Sequence, residues 1–78
     1  MSDKQNLTYT VIFERAEEGG YVVSVPMLPG CVSQGETLEE AESRIKEAIG
    51  AYLESLRMHD EEIPVEIQAF HGSVSVPA

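Results

Sequence analysis

Thr37-Leu38-Glu39-Glu40-Ala41-Glu42-Ser43-Arg44-Ile45 opens the longest regular pattern in the chain, and its reading decides the fold. Thr37 and Glu40 make a T-x-x-E capping box, in which a hydroxyl and a carboxylate satisfy the first orphan N–H groups of a helix. Leu38, Ala41, Ile45, Ala48, Ile49, Tyr52, Leu53 and Leu56 then recur at three- and four-residue spacing, which gathers them into one apolar stripe. Glu40–Arg44 and Glu42–Lys46 are i,i+4 pairs with the acid first, the favoured order. The pattern predicts a helix over 38–58. Gly50 lies off the stripe and costs ~1 kcal/mol there against alanine. The pattern gives no reason for it beyond close approach of a neighbouring chain.

Upstream of the helix the period changes to two. Leu7, Tyr9, Val11 and Phe13 alternate with Thr8, Thr10, Ile12 and Glu14, which predicts a first strand. Glu17-Glu18-Gly19-Gly20 is a turn, and Tyr21-Val22-Val23-Ser24-Val25 a second strand, antiparallel to the first. Placing Phe13 and Val11 beside Val23 and Val25 requires odd residues to pair with odd. The loop must then hold an odd number of residues, and three ending in a left-handed glycine satisfy that. Pro26-Met27-Leu28-Pro29-Gly30 forms a rigid corner, because the prolines remove two ladder donors and the glycine permits a reversal. Cys31-Val32-Ser33-Gln34 is a short third strand, closed by Gly35.

Downstream, residues 65–69 and 73–76 both alternate weakly. The expected fourth strand is 73–76, with 65–69 as an extended lead-in. Residues 1–6 are polar and expected to fray. The fold class is therefore α+β, a small sheet with one packed helix in the order β-β-β-α-β. One helix covers one face of that sheet. Thr8, Thr10, Ile12, Val22, Ser24 and Val32 fall on the other, half apolar and uncovered. Antiparallel sheets can leave such a face wet. The alternative is a contact surface for a second copy or a partner, with Ile12, Val22 and Val32 at its centre and Met27 and Leu28 presented by the corner.

The chain's 78 residues make a single domain, and its one cysteine allows no internal disulfide. Fourteen Asp and Glu against five Lys and Arg give a net charge of −9. Phosphate recognition depends on clustered Lys and Arg, so neither direct nucleic-acid binding nor an anionic membrane surface suits this chain. No apolar run approaches the ~20 residues of a membrane span, and no apolar signal core follows Met1, so the expected location is cytoplasmic. A basic partner fits the charge.

The residues offer little chemistry. A two-metal site needs carboxylates converging from separate elements. Glu14 and Glu42 are the nearest candidates, but Glu14 falls on the face opposite the helix and Glu42 pairs in sequence with Lys46. Cys31, His59 and His71 lack zinc-ligand spacing, and no geometry links either imidazole to the thiol. Cys31 reads as a small buried hydrophobe, and His59, at the helix end, suits the negative pole of the helix dipole. Gly19-Gly20 joins antiparallel strands, unlike a phosphate loop. No catalytic residue, metal or cofactor is expected.

Val25-Pro26-Met27-Leu28-Pro29-Gly30-Cys31 followed by Gly35-Glu36-Thr37-Leu38-Glu39-Glu40-Ala41 resembles the signature of the HicB-like antitoxin family. The likeness covers roughly residues 8–64. Pro26, Pro29, Gly30, Cys31, Gly35, Thr37 and Glu40 are the motif positions. The resemblance implies a truncated ribonuclease-H-like fold without that enzyme's carboxylates. It also implies a role as antidote to a small basic RNA-cleaving toxin, and assembly as a dimer or larger homo-oligomer. Met27 departs from the acid that the family often carries there. The short stretch after the helix predicts no C-terminal DNA-binding domain.

Overall fold

A computed structural model describes residues 7–67 and 72–78. Three short strands, β1 (Ile12–Arg15), β2 (Tyr21–Ser24) and β3 (Val32–Gly35), precede one long helix, α1 (Leu38–Met58). The strands form one antiparallel sheet in the order β1-β2-β3. The helix has the span that the capping box and stripe predict.

The β1–β2 register pairs Phe13 with Val23 and Ile12 with Ser24, so odd residues do face odd. Between Ala16 and Gly20 lie three residues. Gly19 donates to the Ala16 carbonyl at 3.1 Å, and Ala16 to the Gly20 carbonyl at 3.0 Å. Gly19 holds φ +105°, a left-handed conformation that a side chain would strain. The parity of the loop thus follows from the apolar pattern of the strands it joins.

β1 is shorter than its alternation suggests. By the same register Val11 and Thr10 fall opposite Val25 and Pro26. Val25 donates its N–H to Cys31, at 3.1 Å, and Pro26 has none to give. The ladder therefore has no partner for residues 7–10. What holds them is the segment after the helix. Tyr9 donates its hydroxyl to the Pro64 carbonyl, and Thr10 donates both its N–H (2.7 Å) and its hydroxyl to the Glu66 carboxylate.

The expected fourth strand requires correction. Residues 73–76 are exposed and unpaired in any sheet, and 65–67 are not strand; positions 68 and 69 lie outside the described residues, as does 1–6. The described order is β-β-β-α. Alternation makes a segment compatible with a strand but gives it no edge to join. Ahead of β1, segment 63–67 contacts Tyr9 and Thr10 through a side chain and a proline carbonyl, not through a ladder.

Gly35 decides where the helix sits. A Cβ built on it would meet the Ala41 backbone nitrogen at 2.5 Å and the Ala41 Cα at 2.9 Å. β3 therefore ends in backbone contact with the first turn of α1. Only Glu36 and Thr37 intervene, so the helix must double back over β3. It packs on β3 and β2, where Val23, Val25, Leu28, Cys31, Ala41, Ile45 and Leu53 form the buried core. β1 is left outside this overlap, and Phe13 stays 37% exposed although it shares the covered face. Leu38, the first stripe residue, also remains exposed, since the first turn meets β3 through the backbone of Glu40 and Ala41.

Both helix ends are closed. The Thr37 hydroxyl accepts from the Glu40 N–H at 3.1 Å. Glu40 reaches back to the Glu36 N–H (2.6 Å) and pairs with Arg44 (3.0 Å). Glu42–Lys46 is not among the ion pairs of the described residues. At the other end Glu61 donates to the Leu56 carbonyl at 2.8 Å and Asp60 to the Arg57 carbonyl at 3.1 Å, with Asp60 left-handed at φ +57°. This is a Schellman closure with aspartate where glycine is usual. His59 places Nδ1 2.8 Å from the Ser55 carbonyl, at the negative end of the helix.

Candidate functional site

The corner between β2 and β3 consists of two consecutive turns that share Leu28. Leu28 donates to the Val25 carbonyl at 3.0 Å, and Cys31 to the Leu28 carbonyl at 2.9 Å. Pro26 and Pro29 each follow the first residue of a turn, where a fixed φ is pre-set for the bend. Gly30, at φ +85°, takes the left-handed position that follows Pro29 in a type II turn. The ends of a β-turn lie close together, so Val25, Leu28 and Cys31 enter the core as a group. Tyr52 of α1 donates to the Pro29 carbonyl at 3.0 Å and ties the corner to the helix.

This geometry corrects one contact candidate. Leu28 is fully buried and no partner can reach it without unfolding the corner. Met27 is half-buried, and Pro26, Pro29 and Gly30 are the exposed parts of the turn. Cys31 is also buried, and that burial pushes its thiol above the ordinary value. The thiolate is the reactive form, so burial keeps this cysteine inert.

The sheet face away from the helix carries Ile12, Ser24 and Val32 in one row across the three strands, and Glu14, Val22 and Gln34 in the next. Ile12 is 44% exposed and Val32 54%, with Val22 half-buried in the next row. The three sequence-chosen apolar positions therefore do share one open surface, interrupted by Glu14. Glu42 lies on α1, on the other side of the sheet. Among the described residues, no three His, Cys, Asp or Glu side chains converge as metal ligands. Neither is any helix there long and apolar enough to cross a membrane.

Sequence reasoning missed a depression beside the β1–β2 turn. It has about 270 Å³ of space, lined by Glu18, Tyr21, Gln34, Glu36, Glu40 and Arg44 among others. Arg44 is already engaged by Glu40. The signal for it lay in Gly20 and Gly35. A Cβ on Gly20 would meet the Gly35 carbonyl oxygen at 2.7 Å, so two glycines bring the turn and the helix start together.

The sequence model for the HicB-like antitoxin of bacterial toxin–antitoxin systems matches residues 9–77. The chain belongs to the HicB-like antitoxin family. Among its relatives, a UPF0150 protein of Thermoplasma acidophilum is 59% identical over 58 residues, 74% of this chain and 84% of that one. A UPF0150 protein of Synechocystis is 47% identical over 66 residues, 85% of this chain and 84% of the relative. Antitoxin HicB 1 of Photorhabdus laumondii is 37% identical over 73 residues, 94% of this chain but 47% of its own length. The motifs that carry this HicB-like membership are, on the geometry above, the corner and the strand-to-helix junction.

Proposed function

We propose that this chain is a non-enzymatic antitoxin, which occludes a small basic RNA-cleaving toxin in the cytoplasm and assembles as a homo-oligomer. The observation that carries the reading is the open sheet face of an acidic chain. Ile12, Val22 and Val32 offer apolar contact, and the chain as a whole carries a net charge of −9. A protein that grips RNA presents Lys and Arg. An acidic surface complements those side chains and accelerates encounter. Met27, at the exposed corner, extends the same contact region.

The test uses the product of any short basic reading frame found adjoining this gene. Its RNA cleavage is measured with and without the antitoxin, at low and high salt. Suppression that weakens with salt, and that is lost in Ile12→Lys and Val22→Lys with the fold retained, supports the reading. Undiminished cleavage in the presence of excess antitoxin overturns it.

A second reading is a solitary oligomeric domain with no toxin. It is favoured by the small UPF0150 relatives, which this chain matches over 84% of their length, against 47% of Antitoxin HicB 1. The absence of any basic neighbouring frame, with self-association intact, would select it.

A further inference from the structure

We infer that two copies of this chain associate by exchanging their tails, residues 73–76 of each lying as an added strand along the outer edge of the other's β3. The inference rests on the reading that the chain assembles, and names the segment and the edge that do it. Three observations point there.

Ser73-Val74-Ser75-Val76 alternates with period two, yet Val74 is 89% exposed and Val76 76%, and nothing in the described chain covers them. Two β-branched residues on one side of an extended segment are suited to a pleated neighbour. The sheet offers two edges. Just ahead of β1 the chain's own segment 63–67 is anchored to Tyr9 and Thr10, through Tyr9–Pro64 and Thr10–Glu66, and flanks the approach to that edge. β3 is the other terminal strand, and among the described residues no strand pairs with its outer side. Val32, on that edge, points into the open face at 54% exposure. A tail strand with both valines turned to that side extends the apolar row from Val32, while main-chain bonds use the edge's outward N–H and C=O groups.

Charge selects a second copy's tail over a docking of two bodies. Thirteen of the fourteen acids and all five bases lie in residues 1–62; Glu66 alone lies beyond. Two bodies meeting face to face would bring like charge against like. A segment with no charged residue after Glu66 inserts without that repulsion. Exchange of identical elements also closes under two-fold symmetry and leaves no open end.

Sedimentation equilibrium of the full chain at low and high salt tests this. The expected result is a dimer whose association does not weaken as salt rises, in contrast to binding of a basic partner. The double variant Val74→Lys, Val76→Lys should weaken association by about tenfold or more. Its circular dichroism should keep the helix signature, because both valines are exposed within their own chain, and its melting temperature should lose the concentration dependence that dimerisation gives the parent. Each lysine also reduces the net charge, which eases general repulsion, so a loss reports strand pairing. Val32→Lys, on the receiving edge, should weaken association by a similar factor. A double variant that dimerises as tightly as the parent overturns the exchange and leaves assembly through another surface standing. A parent chain that is monomeric at every concentration overturns both assembly and exchange. Toxin suppression retained by the double variant separates the tail's role from that of the open face.

Discussion

Replacing Gly35 by alanine tests the contact on which the fold turns. Gly35 does not hold a left-handed φ, so alanine can adopt its backbone conformation. Two effects then oppose each other. Alanine narrows the unfolded ensemble, which stabilises by ~0.4–1 kcal/mol. Against this, the new methyl would lie 2.5 Å from the Ala41 nitrogen and 2.9 Å from both the Ala41 Cα and the Glu40 carbonyl carbon. All three atoms are backbone, in the capped first turn, and cannot rotate aside. Overpacking costs ~1–3 kcal/mol where side chains can adjust, and a rigid backbone places this site at the upper end. The net loss is about 2 kcal/mol or more. For a domain of this size that lowers the melting temperature by ~8–16 °C. Thermal unfolding followed by far-ultraviolet circular dichroism gives the number. A Gly35→Ala protein that melts with or above the parent would refute the close junction and, with it, the explanation of why the helix lies over β3.

Gly50 supplies the opposite sign with the same substitution: an added Cβ meets nothing within 4 Å, so Gly50→Ala should raise stability by ~1 kcal/mol, about 4–8 °C in melting temperature. Asp60→Gly relieves a left-handed φ of +57° while keeping both closing hydrogen bonds, and should add ~0.5–1 kcal/mol in a denaturant titration. Cys31 gives a pH dependence. Burial holds its folded pKa above the unfolded value of about 9, so the unfolded chain binds fewer protons above that pH. Its contribution is intact below pH 9 and is lost as pH rises beyond; Cys31→Ala should flatten part of the alkaline decline in stability, and thiol labelling of the native protein should require unfolding. Leu28→Ala should cost ~2–5 kcal/mol, as expected of a core leucine, measured by the same melt; a cost near zero would return Leu28 to the surface.

Much of this architecture was legible because each element states its period twice, once in its apolar pattern and once in its boundaries. The helix span follows from the Thr37–Glu40 cap and the stripe together. The hairpin register follows from the parity of Phe13 and Val23, which also fixed the loop length. Leu28 was misread because turns ordinarily run on the surface. The available signal was the three-residue spacing of Val25, Leu28 and Cys31, the apolar ends of two linked proline turns. The tail was misread because alternation reports compatibility with a strand and carries no information about an edge. The exposure of Phe13 depends on which strands the helix overlies, a long-range fact set by one glycine contact.

The two motifs that carry the family resemblance are consumed by folding. Pro26, Pro29 and Gly30 bend the corner, and Leu28 and Cys31 fill the core beneath it. Gly35 and Ala41 touch, and Thr37 and Glu40 start the helix. Substituting these positions should act through stability before it alters any contact with a partner. The open face is under no comparable constraint: Ile12 and Val32 are solvated in the isolated chain, and their exchange for other residues costs the fold little. A scaffold arranged in this way separates the residues that make it fold from those left on its open face. It follows that family membership predicts the sheet and helix of this chain well and its particular partner poorly. On the reading proposed above, that partner is selected by the side chains at positions 12, 22, 27 and 32.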